Sequence, residues 1–170
     1  QGVRVQVDET VICRNNKLKY PSGRDDNEPN TVWLVGGIEK CNPKNFFLKR
    51  VENRQSTIIK PLLQKHLNEG SILITDGYPT YPSVARDLNF PHVSVKHRRG
   101  FKNDNGDTTN IIEAFWTPLK RMLRIKSGTL QNRINEFVTD FLFFKTFLPN
   151  STWNEKEDIF IFLLKKIFKD

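Results

Sequence analysis

The hydrophobic pattern of the chain changes its period once, near residue 55, and this change restricts the folds open to it. Before that point, alternating or short apolar runs at residues 3–9, 31–39 and 45–51 are typical of strands. Turn-forming residues separate these runs, and residues 11–20 could form the second arm of a hairpin. Consecutive strands with short connections predict an antiparallel meander.

After that point, helical and strand-like segments alternate. Residues 56–68 have apolar residues at helical spacing, and residues 71–75 (SILIT) resemble a buried parallel strand. A short helix at 81–88, a strand at 92–97 and helices at 111–125, 130–147 and 154–169 follow. This is the element order of the RNase H-like fold, an α/β fold with a five-stranded mixed sheet (three antiparallel strands, then two parallel) flanked by helices. We assign residues 1–126 to this core and 127–170 to a C-terminal helical extension, which packs on the core or forms a dimer contact.

The composition favours an anionic partner. The 170 residues include 27 Lys and Arg against 19 Asp and Glu, a formal charge of +8, which suits nucleic acid better than a membrane surface. Two isolated Cys and three scattered His residues exclude a structural zinc site by their spacing. We find no signal-peptide pattern and no apolar run long enough to span a bilayer, so we expect an intracellular, soluble protein with no membrane partner.

Two acidic residues follow predicted strands that are neighbours in this fold. Asp8 closes the first strand and Asp76 the fourth, so both carboxylates should emerge side by side at the carboxyl ends of the strands. Close carboxylates raise each other's pKa unless a cation neutralises them, and hard divalent cations prefer oxygen ligands. The alternatives are that Asp76 is only a turn residue in Asp-Gly and that Asp8 pairs with a lysine.

The face on which Asp8 lies is left open by the pattern. Val3, Val5 and Val7 are expected to face the core, which would put Asp8 on the opposite side if the strand were regular to its end. Glu9 competes with Asp8 for the same role, but alternation would turn it the other way. Periodicity alone does not decide between them.

Glu113 has a structural interpretation beside a functional one. Asn110 and Glu113 have the spacing of an N-cap and its N3 partner, and a first-turn glutamate also complements the helix dipole. Capping is compatible with metal binding, because the first turn would point this carboxylate toward the strand ends. Phe115 and Trp116, which follow it, are predicted to be core residues.

Four segments occur in an order that resembles one family of enzymes. They are VDET at 7–10, VGGIEK at 35–40, TDGYPTY at 75–81 and TTNIIEAFWTPLKRMLR at 108–124. Over residues 3–126 the chain resembles the Merlin superfamily of eukaryotic DNA transposases and their ISXO-type bacterial insertion-sequence relatives. The acidic pair Asp25 and Asp26 departs from the basic hairpin that these relatives have after the first motif.

The resemblance implies an RNase H-like catalytic domain with an acidic triad. Position by position, the triad falls on Asp8, Asp76 and Glu113, which would be both catalytic residues and metal ligands. The implied cofactor is a pair of Mg²⁺ ions, with Mn²⁺ as a substitute. The implied reaction is strand cleavage at transposon ends and strand transfer into target DNA.

Basic residues cluster beside the proposed catalytic positions. One cluster follows the last predicted strand, and another runs along the helix that begins near Glu113 without an intervening acidic residue, which favours phosphate binding over a solvated face. The predicted DNA-binding residues are Lys96, His97, Arg98, Arg99, Lys102, Lys120, Arg121, Arg124 and Lys126.

We expect the partner to be double-stranded DNA, at the terminal inverted repeats and the target, bound by a homodimer or higher oligomer. The compartment would be the nucleus in a eukaryote and the cytoplasm or nucleoid in a bacterium. Because the chain begins inside a predicted strand, we also expect a DNA-binding segment upstream.

Two other functions are compatible with the pattern. A nuclease of the same fold would hydrolyse DNA without joining it, and a domesticated transposase-derived protein would bind DNA without activity. Acidic residues at all three triad positions argue against the second alternative.

Overall fold

The sheet has the predicted strands in the predicted arrangement. The computed structural model describes residues 2–13, 31–95, 106–125 and 133–148, together with Glu155 and Asp158. Its strand order is β3-β2-β1-β4-β5, in which β1–β2 and β2–β3 are antiparallel and β1–β4 and β4–β5 are parallel. The α/β fold class with a five-stranded mixed sheet is therefore confirmed. The strands are β1 Arg4–Cys13, β2 Val32–Glu39, β3 Phe46–Val51, β4 Ile72–Thr75 and β5 His92–Ser94.

The helices of the described residues also follow the predicted order. They are α1 Ser56–His66, α2 Thr80–Asp87, α3 Asn110–Ile125 and α4 Ile134–Phe147. The chain divides into two compact units, Gln1–Ile134 with the sheet and α1 to α3, and Asn135–Asp170 with nearly all of α4. The helix predicted at 154–169 lies outside the described residues, apart from Glu155 and Asp158, which are helical. None of the helices in the described part of the chain is long and apolar enough to cross a membrane.

Strand β1 is longer than predicted, and this corrects the position of Asp8. The strand continues through Cys13, so Asp8 lies in its middle, paired with Gly36, and does not close it. The reason is that no turn-forming residue interrupts residues 9–12 and that β2 pairs with β1 as far as Cys13. The hairpin arm predicted from residue 11 is thus wrong for residues 11–13, and its remainder lies outside the described residues.

The side chains of β1 alternate between two packed faces along its whole length. Val5 and Val7 are buried in one apolar core with residues of α1 and α2, such as Leu63 and Val84. Helix α3 contacts β1 and β2 on the other face, where Gln6 and Asp8 meet it. Asp8 therefore lies on the α3 face, and Glu9 points toward α2, where it meets Tyr81.

Two successive glycines of β2 each make room for an aromatic ring. A Cβ atom on Gly36, the residue paired with Asp8, would lie 2.7 Å from the indole of Trp116. A Cβ atom on Gly37 would lie 2.2 Å from the ring of Phe47. Real Cβ contacts are longer than either distance, so these positions require glycine for close approach. Gly36 thereby lets Trp116 lie against the sheet beside Asp8.

The N-terminus of α3 is held by a glutamine from β1. Gln6 Oε1 accepts hydrogen bonds from the backbone N–H groups of Ile111, at 3.0 Å, and Ile112, at 3.1 Å. Its Nε2 donates to the carbonyl of Thr108 at 2.6 Å, and the side chain is fully buried. This one side chain satisfies helix-terminal amides that otherwise have no partner inside a helix.

This arrangement replaces the cap that was expected from Asn110. Helix α3 begins at Asn110, whose side chain is exposed, and the N–H of Glu113 bonds to the carbonyl of Thr109 at 3.0 Å. Thr109 therefore precedes the helix, and Asn110 is its first residue. Because Gln6, on the sequence-distant strand β1, accepts hydrogen bonds from the amides at the start of α3, these amides do not need a local capping side chain.

Replacing Gln6 with Leu should destabilise the fold, because the buried amides of Ile111 and Ile112 would lose their acceptor. We expect the free energy of unfolding, measured by urea denaturation, to fall by about 1–3 kcal/mol. The matched control is Gln64→Leu at an exposed position of α1, where we expect a change within about 0.5 kcal/mol. Equal stability of the two variants would contradict the capping role.

Candidate active site

Asp8 is a partly buried carboxylate that accepts a hydrogen bond from the indole of Trp116 in α3. Trp116 Nε1 donates a hydrogen bond to Asp8 Oδ2 at 2.8 Å. Burial raises the pKa of Asp8 to about 6; the hydrogen bond from Trp116 opposes this rise, and the charges of Asp76 and Glu113 add to it. Trp116 is buried, as predicted. Its hydrogen bond to Asp8 was not indicated by the sequence pattern.

Asp76 directly follows the end of β4, the strand that pairs with β1. Gln6 pairs with Ile74 in the parallel β1–β4 ladder, and Asp8 and Asp76 each follow two residues later. Asp76 is also a turn residue, because its Oδ1 accepts the N–H of Tyr78 at 3.1 Å and Gly77 has a φ of +89°. The turn therefore exists, and it presents the Asp76 carboxylate beside β1.

Each of the other two acidic positions borders accessible space. Glu113 lies in the first turn of α3, where Thr109 Oγ1 donates to its Oε1 at 2.6 Å. It lies on an open surface depression that Asn110, Ala114 and Thr117 also line. A cavity of about 590 Å³ is lined by Arg54, Asp76, Gly77, Tyr78 and Pro79.

The three carboxylates interact but do not form a closed metal site. Asp76 and Glu113 both act electrostatically on Asp8, and their assignment with Asp8 to a catalytic triad stays a prediction. Within the described residues, however, no group of three His, Cys, Asp or Glu side chains is gathered closely enough to hold an ion. The donor chemistry fits a hard divalent cation, since all three groups supply carboxylate oxygen. Binding would require these side chains to draw together.

A fourth carboxylate, Glu9, lies behind Asp8 on the opposite face of β1. Its side chain is 4% exposed, and burial, with the neighbouring charge of Asp8, raises the pKa of Glu9 to about 7. Tyr81 donates its hydroxyl to Glu9 Oε2 at 2.7 Å, and Arg54 Nη1 donates to Oε1 at 3.1 Å. These partners of Glu9 were not predicted from the sequence. They could have been expected, because Glu9 lies on the same face of β1 as Val5 and Val7, and a charged residue on a buried face requires a partner.

Of the predicted DNA-binding residues, the structure describes the side chains of two. Lys120 is half-buried one turn beyond Trp116, and burial lowers the pKa of its ammonium group while the charge of Asp8 opposes this. Arg121 is exposed. The side chain of Arg124 lies outside the described residues, as do Lys96, His97, Arg98, Arg99, Lys102 and Lys126.

Comparison with protein families identifies the family of the chain. The profile of the ISXO2-like transposase domain matches residues 1–144, which is most of the chain. The chain belongs to the ISXO2-like transposase family. For a member of this family, DNA is the substrate, and the region of β1 and the β4–α2 turn that carries Asp8 and Asp76 is the candidate active site of the transposase domain. Comparisons with curated proteins and with solved structures gave no significant match.

Proposed function

We propose that this transposase domain cleaves DNA strands at transposon ends and joins them to target DNA. In this proposal Asp8, Asp76 and Glu113 are the catalytic residues and hold a pair of Mg²⁺ ions, for which Mn²⁺ can substitute. The principal support is Asp8, a partly buried carboxylate whose pKa is raised by desolvation and by the charges of the other two acidic residues. Neighbouring negative charges of this kind are what a bound cation would neutralise.

The residues around the triad would orient the three carboxylates. Trp116 holds one oxygen of Asp8, the Tyr78 N–H holds one oxygen of Asp76, and Thr109 Oγ1 holds one oxygen of Glu113. Fixed partners of this kind position metal-binding groups and tune their affinity. The ions, when bound, would activate a water or a DNA 3′-hydroxyl and stabilise the leaving oxygen.

We also propose that the basic residues of α3, with those at 96–102, bind DNA phosphates. Lys120 supports this because its ammonium group is within electrostatic reach of Asp8. A cation there would contact the phosphates next to the one that is cut, and such contacts position DNA without reading its sequence. The four motifs further suggest a relationship to the Merlin superfamily, and we expect the DNA-bound form to be a dimer or higher oligomer.

Replacing Lys120 with Ala should weaken DNA binding about equally across sequences. Each phosphate contact contributes roughly 0.9 to the slope of log affinity against log salt, so the slope should flatten by up to about one charge. The slope is measured from DNA-binding affinities, determined by fluorescence anisotropy at a series of salt concentrations. Lys65→Ala, at an exposed position of α1, is the control with the same charge change and should leave the slope unchanged. An unchanged slope for Lys120→Ala would assign this residue to a solvated surface.

A strand-transfer assay tests the proposed function. Pre-cut transposon-end DNA is incubated with the protein, Mg²⁺ and a supercoiled target, and joined products are separated on a gel. Joining in Mg²⁺ supports the proposal. Hydrolysis of uncut ends without joining would indicate a nuclease of the same fold, and DNA binding without either reaction would indicate a domesticated protein.

A further inference from the structure

Arg54 occupies an unusual position for a charged residue. Its guanidinium carbon lies 4.0 Å from the ring centroid of Trp33 and 4.0 Å from that of Tyr78. Its Nη1 donates to Glu9, and its side chain is only 12% exposed. A buried arginine that meets two aromatic rings and a buried carboxylate has a fixed orientation.

The contacts of Arg54 lead directly to Asp76. Tyr78, on which the guanidinium stacks, donates its backbone N–H to Asp76 Oδ1 at 3.1 Å. Arg54, Asp76 and Tyr78 also line the same cavity, of about 590 Å³. On its other side Arg54 is tied through Glu9 to β1, the strand that carries Asp8. Arg54 therefore links the strand of one proposed ligand to the turn of another.

We propose that Arg54 is a positioning residue that ties the Asp76 turn to β1, so that the carboxylates of Asp8 and Asp76 can converge on a metal ion. Arg54 acts through Tyr78 and Glu9. The inference rests on the proposed function, because it needs Asp76 to be a metal ligand. It adds a residue that none of the four motifs includes, since Arg54 lies in the connection between β3 and α1.

The chemistry of the contacts requires arginine in particular. A planar guanidinium can stack on aromatic rings and still donate in its plane to a carboxylate, whereas the ammonium group of lysine is a compact point charge that cannot do both. An Arg54→Lys substitution therefore keeps the charge beside Glu9 but loses the fixed contact with Tyr78.

The test measures Mn²⁺ affinity directly, by electron paramagnetic resonance of the free ion, at equal concentrations of folded protein. Outer-shell partners of a metal site typically contribute about 10–100-fold to affinity. We expect a loss of this size in Arg54→Lys and Arg54→Met. Lys60→Met removes a cation from a surface ion pair with Asp87 and should bind Mn²⁺ as the wild type does.

A second pair of variants tests the route through Tyr78. Tyr78→Leu removes the ring on which Arg54 stacks and should weaken Mn²⁺ binding, whereas Tyr78→Phe keeps the ring and should not. Wild-type Mn²⁺ affinity in both Arg54→Lys and Tyr78→Leu would overturn the inference. Failure of the proposed function is a separate result, in which Asp76→Asn itself binds Mn²⁺ as tightly as the wild type.

Discussion

Replacing Asp8 or Asp76 with Asn is expected to abolish Mg²⁺-dependent DNA cleavage while leaving the protein folded. Each change removes a proposed ligand charge, and the amide oxygen can still accept the hydrogen bond from Trp116 or from the Tyr78 N–H. Because the pKa of folded Asp8 is raised from 3.8 to about 6, the unfolded state binds fewer protons between these values. The metal-free wild type should therefore lose stability as pH rises through this window, and Asp8→Asn should lose less, because only Glu9, whose pKa is also raised, still contributes to the loss.

Alongside the cleavage assay, the melting temperatures of the wild type and the asparagine variants are measured with and without Mg²⁺. A ligand that binds only the folded state at 100 times its Kd stabilises it by about 2.7 kcal/mol, so Mg²⁺ should raise the melting temperature of the wild type. It should not raise that of Asp8→Asn. At pH 8 without metal, we expect Asp8→Asn to melt at or above the wild-type temperature. Cleavage at the wild-type rate by either asparagine variant would remove that residue from the site.

Glu113→Gln should reduce cleavage by more than the roughly 10–100-fold that is typical of outer-shell partners, because it removes a proposed ligand charge. The free energy of unfolding should change by less than about 1 kcal/mol, since a glutamine oxygen can still accept the hydrogen bond from Thr109. If Glu113 only stabilises the start of α3, Glu113→Gln should cleave DNA at nearly the wild-type rate. Parallel measurements of melting and Mg²⁺-dependent cleavage distinguish these results.

The matched control for Glu113 is Thr109→Val. It removes the hydroxyl that donates to Glu113 Oε1 at 2.6 Å but keeps the carboxylate and the branched shape of the side chain. We expect a small loss of stability, of the order of 1 kcal/mol, and a much smaller loss of cleavage than in Glu113→Gln. An active Glu113→Gln protein would leave the proposed triad with two members and remove most of the support for transposition chemistry.

The fold could be predicted because its strands and helices have clear hydrophobic periods. The run SILIT at 71–75 correctly predicted β4, and the helical spacing of apolar residues at 56–68 correctly predicted α1. The end of β1 was predicted wrongly, since Asp8-Glu9 resembled a strand terminus. The strand continues because β2 pairs with it beyond that point, and such pairing is not visible in a local pattern.

The site was predictable only in part, for a similar reason. Strand order predicted that the strands before Asp8 and Asp76 are neighbours, which the β1–β4 pairing agrees with, but alternation left the face of Asp8 open. The cap of α3 and the contacts of Glu9 depend on side chains distant in sequence, such as Gln6 and Arg54. Local spacing therefore suggested Asn110 as the cap and gave no partner for Glu9.

The bond between Gln6 and α3 has a consequence for when the candidate site can assemble. Gln6 and Ile111 are 105 residues apart in the sequence, so a chain that is still being synthesised, or in which this contact has opened, lacks the bond that holds the start of α3, and with it Glu113, against β1. Contacts of such long range are slow to form, because a long loop must close first. We therefore expect incomplete or partly unfolded copies to lack the assembled site and, under the proposed function, to be unable to cut DNA.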